Sequence, residues 1–334
     1  MTENALGGRP NRRRRLLQAG AAALLARSGL ALAAGPRRIG LLGMTSASGY
    51  AARWDAFRKG LAAAGWVEGR TVAFVGRFAD GQLDRLPALA AEVVAAGVEV
   101  LVTHGIPGGR AAMQATQTVP IVLAAVADPV AAGLVGSYAR PGGNVTGTAF
   151  LAHEMAAKRM QLLKEALPRA SRVTVLTNPR NPLFSQAMFD AMLKVAAPLG
   201  LTLQRHDKPE PARFAAAFDE IVARRPDALS VIEEAMFNAH PVPLAELALR
   251  HRLPAFGTKD FCDAGALVGY GADFNAMFER AALVVDRLLR GARAGELPIE
   301  QPTRFELAAN LRTARALGIE LPNDPLLRAD VVLR

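Results

Sequence analysis

Ten side chains stand where a loop follows an apolar run, and their types suit the capture of a small polar solute. They are Ser46, Thr103, His104, Asp128, Asn178, Asn181, Glu234, Phe237, Asp260 and Tyr270. In Met44-Thr-Ser-Ala-Ser48 the hydroxyls, Ser46 above all, can donate to a carboxylate beside the N–H groups that open the next helix. Ser48 would serve equally as a plain helix cap. Asp128 offers a charge to an ammonium, an attraction that strengthens where water is excluded. Its position before Pro129 also fits a helix start. The amides of Asn178 and Asn181 both donate and accept, so they suit either end of a zwitterion, or simple Asx turns. Glu234, beside Glu233, supplies charge, and Phe237 a wall for stacking. Thr103-His104 closes the loop after the third strand, and Lys259-Asp260 and Tyr270 lie at later strand ends.

These residues do not form a catalytic signature. The sequence has no G-x-G-x-x-G opening a helix, no P-loop lysine, no G-x-S-x-G elbow and no H-E-x-x-H, so no catalytic residue, cofactor or metal is expected. The single cysteine, Cys262, excludes a disulfide framework and any multi-cysteine metal site. It reads as a small buried hydrophobe.

The elements that position these loops follow from periodicity. Short apolar runs at Ile39–Gly43, Thr71–Phe78, Val98–Thr103 and Pro120–Ala125 alternate with helical stretches at Trp54–Ala64, Arg85–Ala96 and Gly109–Thr116. The order then repeats. Strands are expected at Arg172–Thr177, Thr202–His206, Ala228–Ile232 and Pro254–Gly257, with helices at Phe184–Leu199, Ala212–Arg224 and Leu244–His251. Ile39 and Val173, Gly65 and Gly200, and Pro120 and Pro254 are each 134 or 135 residues apart. Strand–helix alternation predicts parallel sheets covered on both faces, here in two tandem α/β domains. Doubly wound sheets put ligand loops at the carboxyl ends of their strands, so the solute site is expected in the cleft between domains. Crossings between domains are expected at Pro141–Leu151, near Val268–Asp273 before a helix at Asn275–Arg290, and near Thr303–Ala308 before a helix at Leu311–Leu317. Domain one then holds residues 37–149 plus 274–301, and domain two 150–273 plus 302–334.

Charge is uneven along the chain. Of the formal +10, half comes from the first 34 residues, where six arginines face one acid, Glu3. The remainder mixes acids and bases and shows no phosphate-binding stripe, so nucleic acid is not an expected partner. Asn11-Arg-Arg-Arg-Arg-Leu-Leu-Gln18, the apolar run Ala19–Ala26 and Leu30-Ala-Leu-Ala-Ala34 have the three parts of an export signal. Arg13-Arg14-x-Leu16-Leu17 is similar to a twin-arginine signal. Cleavage is expected near Ala33 or Ala34, with no following cysteine to lipidate. The mature chain is expected in a Gram-negative periplasm, not spanning the membrane, and monomeric.

From Arg37 to Val331 the chain resembles the substrate-binding proteins of ABC transporters, in the type I periplasmic binding protein branch that includes tryptophan and aromatic amino acid binders. The matching stretches are Gly65-Trp-Val-Glu-Gly-Arg70, Asp84-Arg-Leu-Pro-Ala-Leu-Ala-Ala91, Val119-Pro-Ile-Val122, Asp128-Pro-Val130 and Arg140-Pro-Gly-Gly-Asn-Val-Thr-Gly147. Asn178-Pro-x-Asn-Pro182, Leu297-Pro-x-x-Gln-Pro-Thr-x-Phe-Glu-Leu307 and Ala314-x-Ala-Leu-Gly318 follow in order. Two positions depart from the family's usual pattern. Ile106 stands where a threonine often precedes the proline, with His104 added, and Glu234 stands where aspartate is usual. The resemblance implies two doubly wound domains joined by a hinge, no catalysis, and delivery of a captured solute to an ABC permease with its cytoplasmic ATPase. A sensor feeding a receptor kinase and an exported α/β enzyme are the alternative readings of the same fold.

Overall fold

The computed structural model describes residues 35–207, 210–302 and 304–334; the export signal expected within residues 1–34 lies outside the described residues. The first half builds β1 (Arg37–Gly43), α1 (Ala51–Ala63), β2 (Val72–Phe78), α2 (Leu86–Ala95), β3 (Val100–Thr103), α3 (Gly105–Ala115), β4 (Ile121–Ala127) and β5 (Val145–Phe150). Its sheet runs β2-β1-β3-β4-β5, parallel throughout. Every residue of β4 and β5 is buried, as strands covered on both faces must be.

The second half builds α4 (Ala152–Ala166), β6 (Arg172–Thr177), α5 (Pro182–Ala196), β7 (Thr202–Asp207), α6 (Phe214–Ala223), β8 (Ala228–Val231), α7 (Ala235–Asn238) and α8 (Pro241–Arg250). Then come β9 (Ala255–Gly257), α9 (Lys259–Asp263), β10 (Val268–Ala272), α10 (Phe274–Leu289), β11 (Phe305–Asn310), α11 (Leu311–Leu317), α12 (Asn323–Leu327) and β12 (Val331–Leu333). This sheet runs β12-β11-β10-β9-β8-β6-β7, and only the β10–β11 pair among those described is antiparallel. The two sheets, each with its covering helices, are the two lobes of an α/β type I periplasmic binding protein fold.

The return helix α10 closes the first lobe. It packs on α1, β4 and β5 through Phe274, Met277, Phe278, Ala281, Ala282 and Val285. Gly60 makes that packing possible, because a Cβ there would stand 2.8 Å from both the Ala282 Cβ and the Glu279 carbonyl oxygen. After α10 the chain adds Glu300 to the edge of β5 through Glu300 N–H to Gly147 O and Ala149 N–H to Glu300 O, before entering β11.

Several local expectations change. Thr148–Leu151 is mostly strand rather than connector: Val145–Gly147, Ala149 and Phe150 pair with β4 across an irregular register. Gly147, at φ +138°, lies so near Leu123 that a Cβ would sit 2.2 Å from its carbonyl oxygen. The two later expected crossings overlap strands β10 (Val268–Ala272) and β11 (Phe305–Asn310) of the second sheet. Helix α3 begins four residues before the expected Gly109, since Pro107 falls in its first turn, where a missing N–H costs nothing.

Candidate functional site

The carboxyl ends of the strands in both sheets face a common cavity lined from both lobes. The first lobe supplies an apolar wall. Met44 extends β1, Tyr50 and Arg53 open α1, His104, Gly105 and Ile106 open α3, and Phe150, Phe274 and Phe278 come from β5 and α10. The second lobe answers with Asn181 and Phe184 at the start of α5, and Glu233, Glu234, Ala235 and Asn238 around the β8–α7 turn.

The aromatic wall is internally fixed. Tyr50 stacks on His104 at 4.5 Å and 18°, Trp54 meets Phe278 edge-on at 5.2 Å, and Phe150 meets Phe274 likewise at 5.2 Å. Such contacts hold rings in place beyond simple burial. His104 Nε2 accepts the Met44 N–H at 3.3 Å, so the ring must be neutral at that nitrogen. Burial and the neighbouring Arg53 lower its pKa to about 3. Burial pushes the Tyr50 hydroxyl upward.

One ion pair crosses the cleft and another lies within the second lobe. Arg53, on α1, pairs with Asp260 of α9 and donates to Asn275 Oδ1 at 2.7 Å, with its guanidinium 5.7 Å from the Phe274 ring centre. Glu233 pairs with Arg159 of α4, and both side chains are fully buried. Its second oxygen, Oε2, has no hydrogen-bond partner among the described residues. Glu234 is the N-cap of α7, its Oε2 accepting the Met236 N–H at 2.8 Å. Burial raises its pKa, while bonds from Met236 N–H and the Asn178 and Asn181 side chains oppose that rise. Glu234 therefore ionises more readily when a cation approaches.

The structure scatters the ten sequence candidates over distinct roles. His104, Asn181 and Glu234 line the cavity. Asn178 stands behind Glu234, and Asp260 stands behind Arg53. Ser46 lies at the cleft mouth, where its Oγ accepts the Gly49 N–H at 3.0 Å. Thr103 is fully buried and donates to Leu42 O. Phe237 packs on Phe214 in the second-lobe core, and Tyr270 stacks on Phe305 while its carbonyl accepts Arg159 Nε. Asp128 is not among the cavity residues: at φ +36°, its Oδ1 accepts the Ala131 N–H in a turn. Cys262 is buried with its thiol pushed up to about 12 by burial.

Sequence reasoning passed over Tyr50, Arg53, Phe150, Phe274 and Phe278, and did not foresee α4. A signal existed for Arg159: it interrupts the apolar stripe Met155, Ala156, Met160, Leu163, and a charge on such a stripe requires a buried partner.

The model of the family described as ABC transporter substrate binding protein matches residues 38–333. The chain belongs to that family. A tyrosine-binding protein of Clostridioides difficile strain R20291 is 24% identical to this substrate-binding protein over 266 residues, which is 79% of this chain and 76% of the relative. The crystal structure of a conserved domain protein from Vibrio cholerae is 26% identical, with a TM-score of 0.82 over 89% of this chain and 99% of its own. An ABC domain from Streptococcus pneumonia in complex with L-Trp shares the fold at 21% identity, TM-score 0.81, covering 90% of this chain and 100% of its own.

Proposed function

We propose that this substrate-binding protein captures, in the cavity between its lobes, a small solute carrying an amino group on an aromatic-sized apolar body. The observation that carries the reading is the pair Glu233–Glu234, buried opposite the aromatic wall, with one carboxylate oxygen of Glu233 unpartnered. A buried acceptor without a partner costs about 1–3 kcal/mol, more when charged, and a ligand ammonium would recover that cost. Glu234, Glu233, Asn181 and His104 contact the ligand, and Tyr50, Phe150, Phe274 and Phe278 enclose its body. The tyrosine-binding relative and the L-Trp-bound neighbour are consistent with a ligand of this size.

Residues 37–149 plus 274–301 and residues 150–273 plus 302–334 close on the ligand about a hinge, and the Arg53–Asp260 pair links the closed lobes. The chain is exported to the periplasm and hands its ligand to an ABC importer permease; it binds without turnover. Calorimetric titration with aromatic amino acids and the corresponding amines should give one site per chain, with the ligand recovered unchanged by chromatography. Chemical conversion of a ligand would overturn the non-catalytic reading, and failure of every amine-bearing compound to bind would overturn the ligand class.

A further inference from the structure

The cavity's ionic contacts are unequal. Both basic side chains at its edge are already engaged. Arg53 spends its two terminal nitrogens on Asp260 and Asn275, and Arg159 spends Nε on Tyr270 O, one terminal nitrogen on Val231 O and the other on Glu233. Set against those two cations, Asp260 and Glu233 balance the charge and leave Glu234 over. His104 adds no charge, since its Nε2 accepts a backbone N–H.

The donors left on the remaining wall are uncharged: the amides of Asn181 and Asn238 and the Tyr50 hydroxyl. The start of α3 is the place where backbone N–H groups would meet a carboxylate. There Pro107 has no N–H, Ile106 faces the cavity, and a Cβ on Gly105 would come within 2.6 Å of the Met44 methyl. The N–H groups of Gly105 and Ile106 remain at that helix end, but no free cation stands beside them. A ligand carboxylate would be buried without a free cation and beside two acids, which is the costly arrangement for a charge. An ammonium would meet the open Glu233 oxygen and Glu234.

We propose that the cavity selects a monocation: a primary arylalkylamine in preference to the amino acid that bears the same ring. This rests on the ligand class proposed above and narrows it.

Three compounds sharing one ring separate the possibilities. Tyramine is the cation, tyrosine the zwitterion, and 2-(4-hydroxyphenyl)ethanol the neutral form; tryptamine and tryptophan repeat the comparison with a larger ring. Calorimetric titration of the purified chain at pH 7 should show the amine binding at least tenfold more tightly than the amino acid and the alcohol. Tyrosine and tryptophan binding as tightly as their amines, or more so, would overturn this inference while leaving an amine-bearing ligand in place. The alcohol matching tyramine would overturn both charge arguments, and silence from all five compounds on folded protein would overturn both readings. Glu234→Gln keeps an acceptor for the Met236 N–H and should weaken tyramine binding tenfold or more. Unchanged tyramine affinity in that variant would remove Glu234 from the cation site and overturn the proposal. Should the variant not fold, the ligand series on the unaltered chain decides.

Discussion

Replacing Asp260 by asparagine tests whether the ion pair across the cleft holds the lobes together. The Arg53 side chain is 9% exposed and that of Asp260 is 34% exposed. Removing one partner of a fully buried pair costs about 3–5 kcal/mol, whereas a surface pair is worth about 0.2–1 kcal/mol. This pair lies between those limits, and the introduced amide still accepts one bond, so about 1–3 kcal/mol is expected. The loss falls on the closed form alone, because Arg53 and Asp260 come from different lobes. In each lobe the local support survives: Arg53 keeps Asn275 and the Phe274 ring, and α9 keeps its Thr258 cap. A closed form weakened by 1–3 kcal/mol lowers affinity about 5–150-fold. Titration of both proteins with the same amine gives the ratio, and small-angle scattering at one subsaturating amine concentration should show a larger radius of gyration for the variant. Equal affinities together with equal radii would refute the idea that this pair favours closure.

Other consequences can be measured separately. His104 titrates near 6.5 when unfolded and near 3 when folded, so the unfolded chain takes up a proton that the fold refuses as pH falls. Urea unfolding at pH 7 and pH 5 should show about 2 kcal/mol of stability lost through this group, and His104→Asn should remove that loss. Gly147→Ala meets both a positive φ and the Leu123 carbonyl, so thermal unfolding should show a far larger drop than in Gly142→Ala, whose Cβ would meet open space. Similar drops in the two variants would contradict the assigned role of the β4–β5 contact. N-terminal sequencing of protein from the periplasmic fraction should begin within a few residues of Gly35; chains still carrying Met1 there would overturn the export proposal.

The architecture was legible because helix ends and strand starts repeat in register, and because a strand such as Ile121–Ala127 can only be buried on both faces. The strand Val145–Phe150 was hidden by the turn-rich Pro141–Asn144 that leads into it, and β11 by its antiparallel direction in a chain of parallel crossovers. The site was legible only where chemistry is tied to a strand end. His104 follows β3 directly, Asn181 and Glu234 stand within four residues of the ends of β6 and β8, and all three reach the cavity. Asp128 follows β4 directly too, yet the left-handed turn at its own residue directs its carboxylate to the Ala131 N–H instead. Arg53 and the phenylalanines of α10 lie on helix faces turned toward the cleft, and which helical face meets the second lobe is a tertiary fact that no local pattern carries. Glu233 could not be told from a solvated neighbour of Glu234 until α4 brought Arg159 against it.

A crystal structure of the chain with its tightest-binding amine tests the central claim most directly. The account predicts the ligand nitrogen within about 3 Å of Glu233 Oε2 or a Glu234 oxygen, with the ring among Tyr50, Phe150, Phe274 and Phe278. A ligand seated at the cleft mouth beside Thr45, Ser46 and Arg180, or one whose nitrogen touches neither glutamate, would contradict it.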